Sequence, residues 1–248
     1  MIKTNGLIIL TVLLSLAVLS SGVRHYQTTG HENHSKYDDL LAIDVLLEPG
    51  PAVAKEAHKA NAGLLKNYPQ GFALDESHKP HITLAQRYIR AADLPAVTTV
   101  VSKLFSEARL QELKLKAQGY HTNAKSGIGF CVMAISVTPA LAKLQQDVVD
   151  ALQPFSIPGG TAAAFVQNEN RIPIDSITVN YVNRFVPDYS GEKFSPHISI
   201  GFANADYLQQ LMKSSFKVIT FTPAAAAIYH LGDFGTARKE LWRSKSAK

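Results

Sequence analysis

The sequence predicts an α+β protein made by internal duplication, with two similar lobes facing each other across a central groove. Three observations predict it. Short apolar runs of strand type alternate with amphipathic helical segments from residue 39 to residue 245. The run Ile43-Asp44-Val45-Leu46-Leu47-Glu48-Pro49 is matched by Met133-Ala134-Ile135-Ser136-Val137-Thr138-Pro139, and an amphipathic helix follows each. Further on, Lys79-Pro80-His81-Ile82-Thr83-Leu84-Ala85 is matched by Ser195-Pro196-His197-Ile198-Ser199-Ile200-Gly201. Strand, helix and histidine-bearing strand therefore occur twice in the same order.

The elements follow in turn. Leu40 to Leu47 is an apolar strand with a proline stop at Pro49. Pro51 to Leu65 is a helix with Val53, Ala57, Ala60 and Leu64 on one face. Pro80 to Ala85 is a short strand, and Leu94 to Leu110 a second helix. Leu113 to His121 and Gly127 to Val137 form a hairpin. Thr138 caps a helix that has Pro139 in its first turn and Leu141, Leu144, Val148 and Leu152 on its apolar face. The stretch from Gln153 to Ser190 has no counterpart in the first half and could line or cover a pocket. It contains Pro158-Gly159-Gly160 and a strand expected over Ser176 to Tyr181. Pro196 to Gly201 is a strand, Ala205 to Ser214 a helix, and Lys217 to Leu231 one long strand. A basic tail with the single tryptophan, Trp242, follows.

Composition narrows the classes. Apolar residues at 46% and charged residues at 18% exclude a disordered chain and a multi-span membrane protein. The net charge of +5 makes a mildly basic surface that attracts anions, phosphates included, although no long run of like charge marks a nucleic-acid tail. The one cysteine, Cys131, cannot form an internal disulfide and lies in an apolar run, as a small buried hydrophobe does.

The N-terminus predicts export. Lys3 precedes an apolar core from Leu7 to Leu19, and Ser20-Ser21-Gly22 offers small residues for cleavage. Residues 1–22 are expected to be a signal peptide, or else an uncleaved anchor, and residues 23–38 a polar tether to a domain over 39–245. The protein is then extracytoplasmic, periplasmic or secreted, with no stable membrane span after cleavage.

The chemistry is carried by the paired motifs. Side chains alternate along a strand, so His81 and Thr83 share one face, as do His197 and Ser199. Ile82, Leu84, Ile198 and Ile200 point to the core. Two imidazoles converging from opposite sides suit an in-line displacement at phosphorus: one takes a proton from the nucleophile and the other gives one to the leaving oxygen. The hydroxyls of Thr83 and Ser199 can hydrogen-bond the non-bridging oxygens. One H-x-[S/T] match among nine histidines is expected by chance. Two matches with the same flanks in the same context are not.

These motifs resemble those of the two-histidine (2H) phosphoesterase superfamily, with its bacterial 2'-5' RNA ligase-like proteins and RNA cyclic phosphodiesterases. The resemblance runs from about Leu40 to Trp242. It implies a bilobed fold of two antiparallel sheets flanked by helices around a central groove. It also implies cleavage of 2',3'-cyclic phosphates or related nucleotide or RNA phosphodiesters, without a cofactor or an obligate protein partner. His81, Thr83, His197 and Ser199 are the positions that match.

Other residues carry less. Tyr229 is a possible base-stacking contact. Arg238 is a possible phosphate contact, with Lys239 and Arg87 as alternatives. His78 near His81, and His31 with His34, lack carboxylates or cysteines at ligand spacing, so no metal is expected. No P-loop, dinucleotide fingerprint, H-E-x-x-H or G-x-S-x-G motif occurs. A binding module that kept the groove and lost turnover is the main alternative. A histidine-based metallohydrolase is a third reading.

Overall fold

The computed structural model describes residues 39–124, 126–169 and 172–245. The expected signal peptide and tether, with His31 and His34, lie outside them. Among the described residues no helix is long and apolar enough to cross a membrane.

Two four-stranded antiparallel sheets form the two lobes. β1 (Leu40–Glu48) leads into α1 (Pro51–Asn67), β2 (Ile82–Arg90) and α2 (Leu94–Glu107). The hairpin of β3 (Leu115–Thr122) and β4 (Ile128–Ile135) precedes α3 (Pro139–Leu152) and α4 (Ser176–Tyr189). Then come β5 (His197–Asn204), α5 (Ala205–Lys213), β6 (Ile219–Phe221), β7 (Ala225–Leu231) and β8 (Ala237–Arg243). The first sheet runs β2-β1-β7-β8 and the second β5-β4-β3-β6. In each, a histidine strand occupies one edge beside the strand that launches the lobe's helix.

The duplication extends to a shared irregularity. In β2 the register against β1 jumps from Ala85 to Thr83, leaving Leu84 unpaired. In β5 the register against β4 jumps from Gly201 to Ser199, leaving Ile200 unpaired. Each bulge stands three residues after its histidine, and a bulge bends and twists the strand that carries it. Gly201 meets this bend with φ of 141°, where a Cβ would also come within 3.2 Å of Asn61.

The helices interlock the lobes: α1 packs on β5 and α3 on β2. Each sends one buried amide to a bulge of the opposite lobe. Asn61 Nδ2 donates to the Ile200 carbonyl at 2.7 Å, and Gln145 Nε2 to the Leu84 carbonyl at 3.2 Å. An unpaired backbone carbonyl is costly in a dry interior, so these amides satisfy what the bulges leave open. Between the sheets and helices one continuous apolar core runs, including Ile43, Val45, Ile82, Leu84, Ile198, Ile200, Leu141 and Val148. Cys131 is buried in it, and burial pushes its thiol up to about 12, as an inert core residue. Thr138 accepts from the Leu141 amide as the expected N-cap of α3.

Two expected elements differ. Ser176 to Tyr181 is not a strand but the start of α4. Its β-branched residues favour a strand locally, yet Asp175 caps the Thr178 amide at 2.7 Å. Burial of Thr178, Val182 and Phe185 follows helical spacing, and that packing overrides local preference. Lys217 to Leu231 is not one strand but β6 in the second sheet and β7 in the first. Thr222-Pro223-Ala224 interrupts it, since proline cannot continue a central ladder. The tail is a strand too, β8, with Trp242 stacked on Phe105 of α2.

Candidate active site

His81 stands one residue before β2 and His197 opens β5. Each ring is held in the same way. His81 Nδ1 lies 2.7 Å from the Lys79 carbonyl, and His197 Nδ1 lies 2.8 Å from the Ser195 carbonyl. A carbonyl only accepts, so Nδ1 carries the proton and Nε2 of each neutral ring keeps a lone pair. The equivalent contact two residues upstream is a second mark of the duplication.

The two rings stand where β2 meets β5. Burial holds both imidazoles below their usual value, and the charge of His81 lowers His197 further. The structure therefore brings the two motifs, remote in sequence, into one place. Thr83 and Ser199 flank them on the face predicted by alternation, while Ile82, Leu84, Ile198 and Ile200 are fully buried on the other.

Sequence reasoning missed Asp44. This carboxylate is fully buried in β1, on the same face as Thr83. Its Oδ2 accepts from the Thr83 hydroxyl at 2.7 Å and from Gln86 Nε2 at 3.0 Å, and lies 3.6 Å from His81 Nε2. Its Oδ1 has no hydrogen-bond partner among the described residues. Burial pushes the carboxyl up to about 7, against the pull of Thr83 and Gln86. A signal existed: one acid inside an eight-residue apolar run must find partners when the strand is buried on both faces.

Among the described residues the second lobe has no such acid. Counted from the two bulges, the pair that matches Asp44 and Gln86 across β1 and β2 is Phe130 and Phe202 across β4 and β5, with ring centroids 5.0 Å apart, and not Ala134, which the sequence match sets beside Asp44. The two halves of the site thus share imidazole and hydroxyl but differ in polarity.

The segment from Gln153 to Ser190 lies over the same face of the first sheet. Phe165 and Val182 pack with Tyr88, and the Tyr88 hydroxyl donates to the Val179 carbonyl at 2.9 Å. Gly160 lies so close that a Cβ would meet the Tyr88 ring at 2.3 Å. Burial, with the charges of Tyr189 and Asp44, pushes the phenol of Tyr181 in α4 up.

The remaining sequence-derived residues have other partners or other faces. Tyr229 is buried, with its hydroxyl 3.4 Å from Glu48 and 3.3 Å from Glu240, so its ring offers no open face to a base. Arg238 lies 3.8 Å from Glu169 and beside His78. Lys239 is exposed on the edge strand β8. Arg87 points to the face of β2 opposite Gln86. His78 pairs with Asp75 and stacks on Phe72. Among the described residues no group of three or more His, Cys, Asp or Glu side chains converges as metal ligands would.

Two interlocked antiparallel lobes with one H-x-[S/T] motif each define a class of protein, the two-histidine phosphoesterases. The chain belongs to the 2'-5' RNA ligase superfamily, whose family model matches residues 49–232. Among solved structures it is similar to TT0787 of Thermus thermophilus. The two are 14% identical, the match covers 82% of this chain and 97% of that one, and the TM-score is 0.50. It is also similar to E. coli LigT complexed with 3'-AMP (11% identity, 85% and 99% coverage, TM-score 0.41). Usb1 of Kluyveromyces marxianus matches at 12% identity, 83% and 98% coverage and a TM-score of 0.35. No curated protein matches.

Proposed function

We propose that this protein is a metal-independent phosphodiesterase that opens 2',3'-cyclic phosphates or related nucleotide or RNA phosphodiesters. The observation that carries the reading is the pair of rings His81 and His197, each anchored through Nδ1 to a carbonyl two residues upstream, with Nε2 in no hydrogen bond among the described residues and the charge of His81 felt at His197. One Nε2 takes a proton from water as its oxygen bonds to phosphorus. The other gives a proton to the ribose oxygen that leaves. Ser199, whose hydroxyl has no partner among the described residues, donates to a non-bridging oxygen where charge builds, and Thr83 does the same once its proton turns from Asp44. Family membership supports phosphoester chemistry, and two imidazoles that can move both protons supply a route in which no metal has a task.

The test is a panel of 2',3'-cyclic nucleotides and 2'-5'-linked and 3'-5'-linked dinucleotides, assayed in EDTA. His81→Ala and His197→Ala should each lower the rate by roughly a hundredfold or more. The wild-type profile should be bell-shaped in pH, because one ring must be bare and one protonated. Full activity in either variant ends the proposal, and so does activity that chelation abolishes and a divalent metal restores. Tight nucleotide binding without turnover identifies a binding module instead. The extracytoplasmic setting belongs to the same reading and rests on the apolar N-terminal segment. An N-terminus at or near residue 23 in the exported protein supports it, and an intact Met1 in the cytoplasm refutes it.

A further inference from the structure

The two lobes are alike enough that their histidines look interchangeable, but Asp44 makes them unequal. Its Oδ2 lies 3.6 Å from His81 Nε2, the nitrogen that would face the reacting phosphate. Among the described residues no carboxylate lies within ion-pair distance of His197, and Phe130 stands at the position of β4 equivalent to Asp44. A fully buried carboxylate with one oxygen unpaired is expensive to keep for packing alone. We propose that Asp44 is a positioning residue that stores the transferable proton on the His81 side, so that His81 is the general acid and His197 the general base of hydrolysis. The inference rests on the phosphodiesterase reading above.

The proton inventory follows from the geometry. Asp44 and His81 together hold one proton near neutrality, since burial disfavours both separate charges and proximity favours the pair. In a turnover, His197 Nε2 removes a proton from water while the water oxygen bonds to phosphorus. The bond from phosphorus to the ribose 2' or 3' oxygen breaks, and that oxygen takes the proton from His81 Nε2. His197 then releases its proton to solvent and the Asp44–His81 pair regains one, so the cycle closes. The groups facing Asp44 are few. β2 and the residue before it supply His81, Thr83 and Gln86, and the charge of Asp44 reaches Tyr181 of α4. β7 supplies Tyr229, opposite Asp44 in register, whose hydroxyl is committed to Glu48 of β1 and Glu240 of β8. The Glu48 charge also reaches His81 and favours its protonated form. The charge of His81 in turn lowers His197 of β5.

The experiment is NMR titration of the ring nitrogens of His81 and His197 and of the Asp44 carboxyl carbon in the whole protein, without substrate. In wild type, Asp44 and His81 should show shared inflections that His197 lacks. In Asp44→Asn the His81 midpoint should drop by about one unit or more, while His197 moves less and only upward, as the His81 charge is withdrawn. Independent titration of Asp44 and His81 in wild type overturns the proposal, and that measurement does not depend on the variant folding. The pH profile of kcat/KM on a 2',3'-cyclic nucleotide is the second arm. Asp44→Asn should move the alkaline limb to lower pH and leave the acid limb unmoved, whereas a merely structural role scales the whole profile. Absence of any turnover in wild type would sink the phosphodiesterase reading, while the titrations still decide whether Asp44 and His81 share a proton.

Discussion

At the residue scale, Asp44 and the two hydroxyls separate stability from chemistry. Below about pH 3.8 Asp44 holds its proton whether folded or unfolded; between there and about 7 only the folded chain does. Its contribution to stability is therefore present below that window and is lost as pH rises through it. At about 1.4 kcal/mol per unit the ceiling is on the order of 4 kcal/mol, reduced by whatever a protonated His81 returns. Asp44→Asn removes this titration, so thermal melts should show the variant gaining on wild type between pH 4 and pH 8. A constant difference across that range argues against the raised carboxyl. The hydroxyls should respond differently. Thr83→Val strips a donor from a buried carboxylate and should cost about 1–3 kcal/mol in denaturant melts at neutral pH. Ser199→Ala breaks no hydrogen bond among the described residues, so it should leave stability nearly unchanged and lower turnover.

At the element scale, the two bulges and the amides that serve them hold the histidine strands in place. Asn61 meets the Ile200 carbonyl from α1, and Gln145 meets the Leu84 carbonyl from α3. Asn61→Ala also orphans the Leu74 amide and the Phe72 carbonyl, so it should cost more than Gln145→Ala. Both losses should fall near 1–3 kcal/mol per orphaned group, read from urea midpoints. Because the bulges stand three residues from the histidines, both variants should also lose kcat beyond what unfolding explains. Undiminished kcat at temperatures well below the melt would show that the bulges do not aim the rings. The sequence could not show these contacts. A bulge has no composition signature, and an amide on a helix face reads as surface until the fold covers it.

At the scale of the whole molecule, the lobes are not separable units. The first sheet opens with β1 and is completed by β7 and β8, and α1 and α3 each pack on the other lobe's histidine strand. One cooperative unfolding transition is expected by circular dichroism and fluorescence together, with Trp242 reporting through its stack on Phe105. Removing residues 225–245 exposes the inner edge of β1 and should abolish that transition instead of leaving a folded second lobe. Two resolved transitions would show that the lobes are independent.

The sequence by itself determined the α+β class, the duplication, most strand and helix positions, and the face on which His81, Thr83, His197 and Ser199 lie. Those follow from local periodicity and from motifs a few residues long, which survive without knowledge of distant partners. Of its two failures in local structure, reading 217–231 as one strand ran through Pro223, and reading 176–181 as a strand came where capping by Asp175 and burial across the sheet outweighed β-branched preference. The tertiary structure alone decided that β6 and β7 lie in different sheets, that each lobe's helix serves the other lobe, and that Asp44 sits beside His81. All three depend on which chain segments meet across long sequence separations, where burial and the need to pair buried polar groups choose the partners. Local pattern carries no record of that choice.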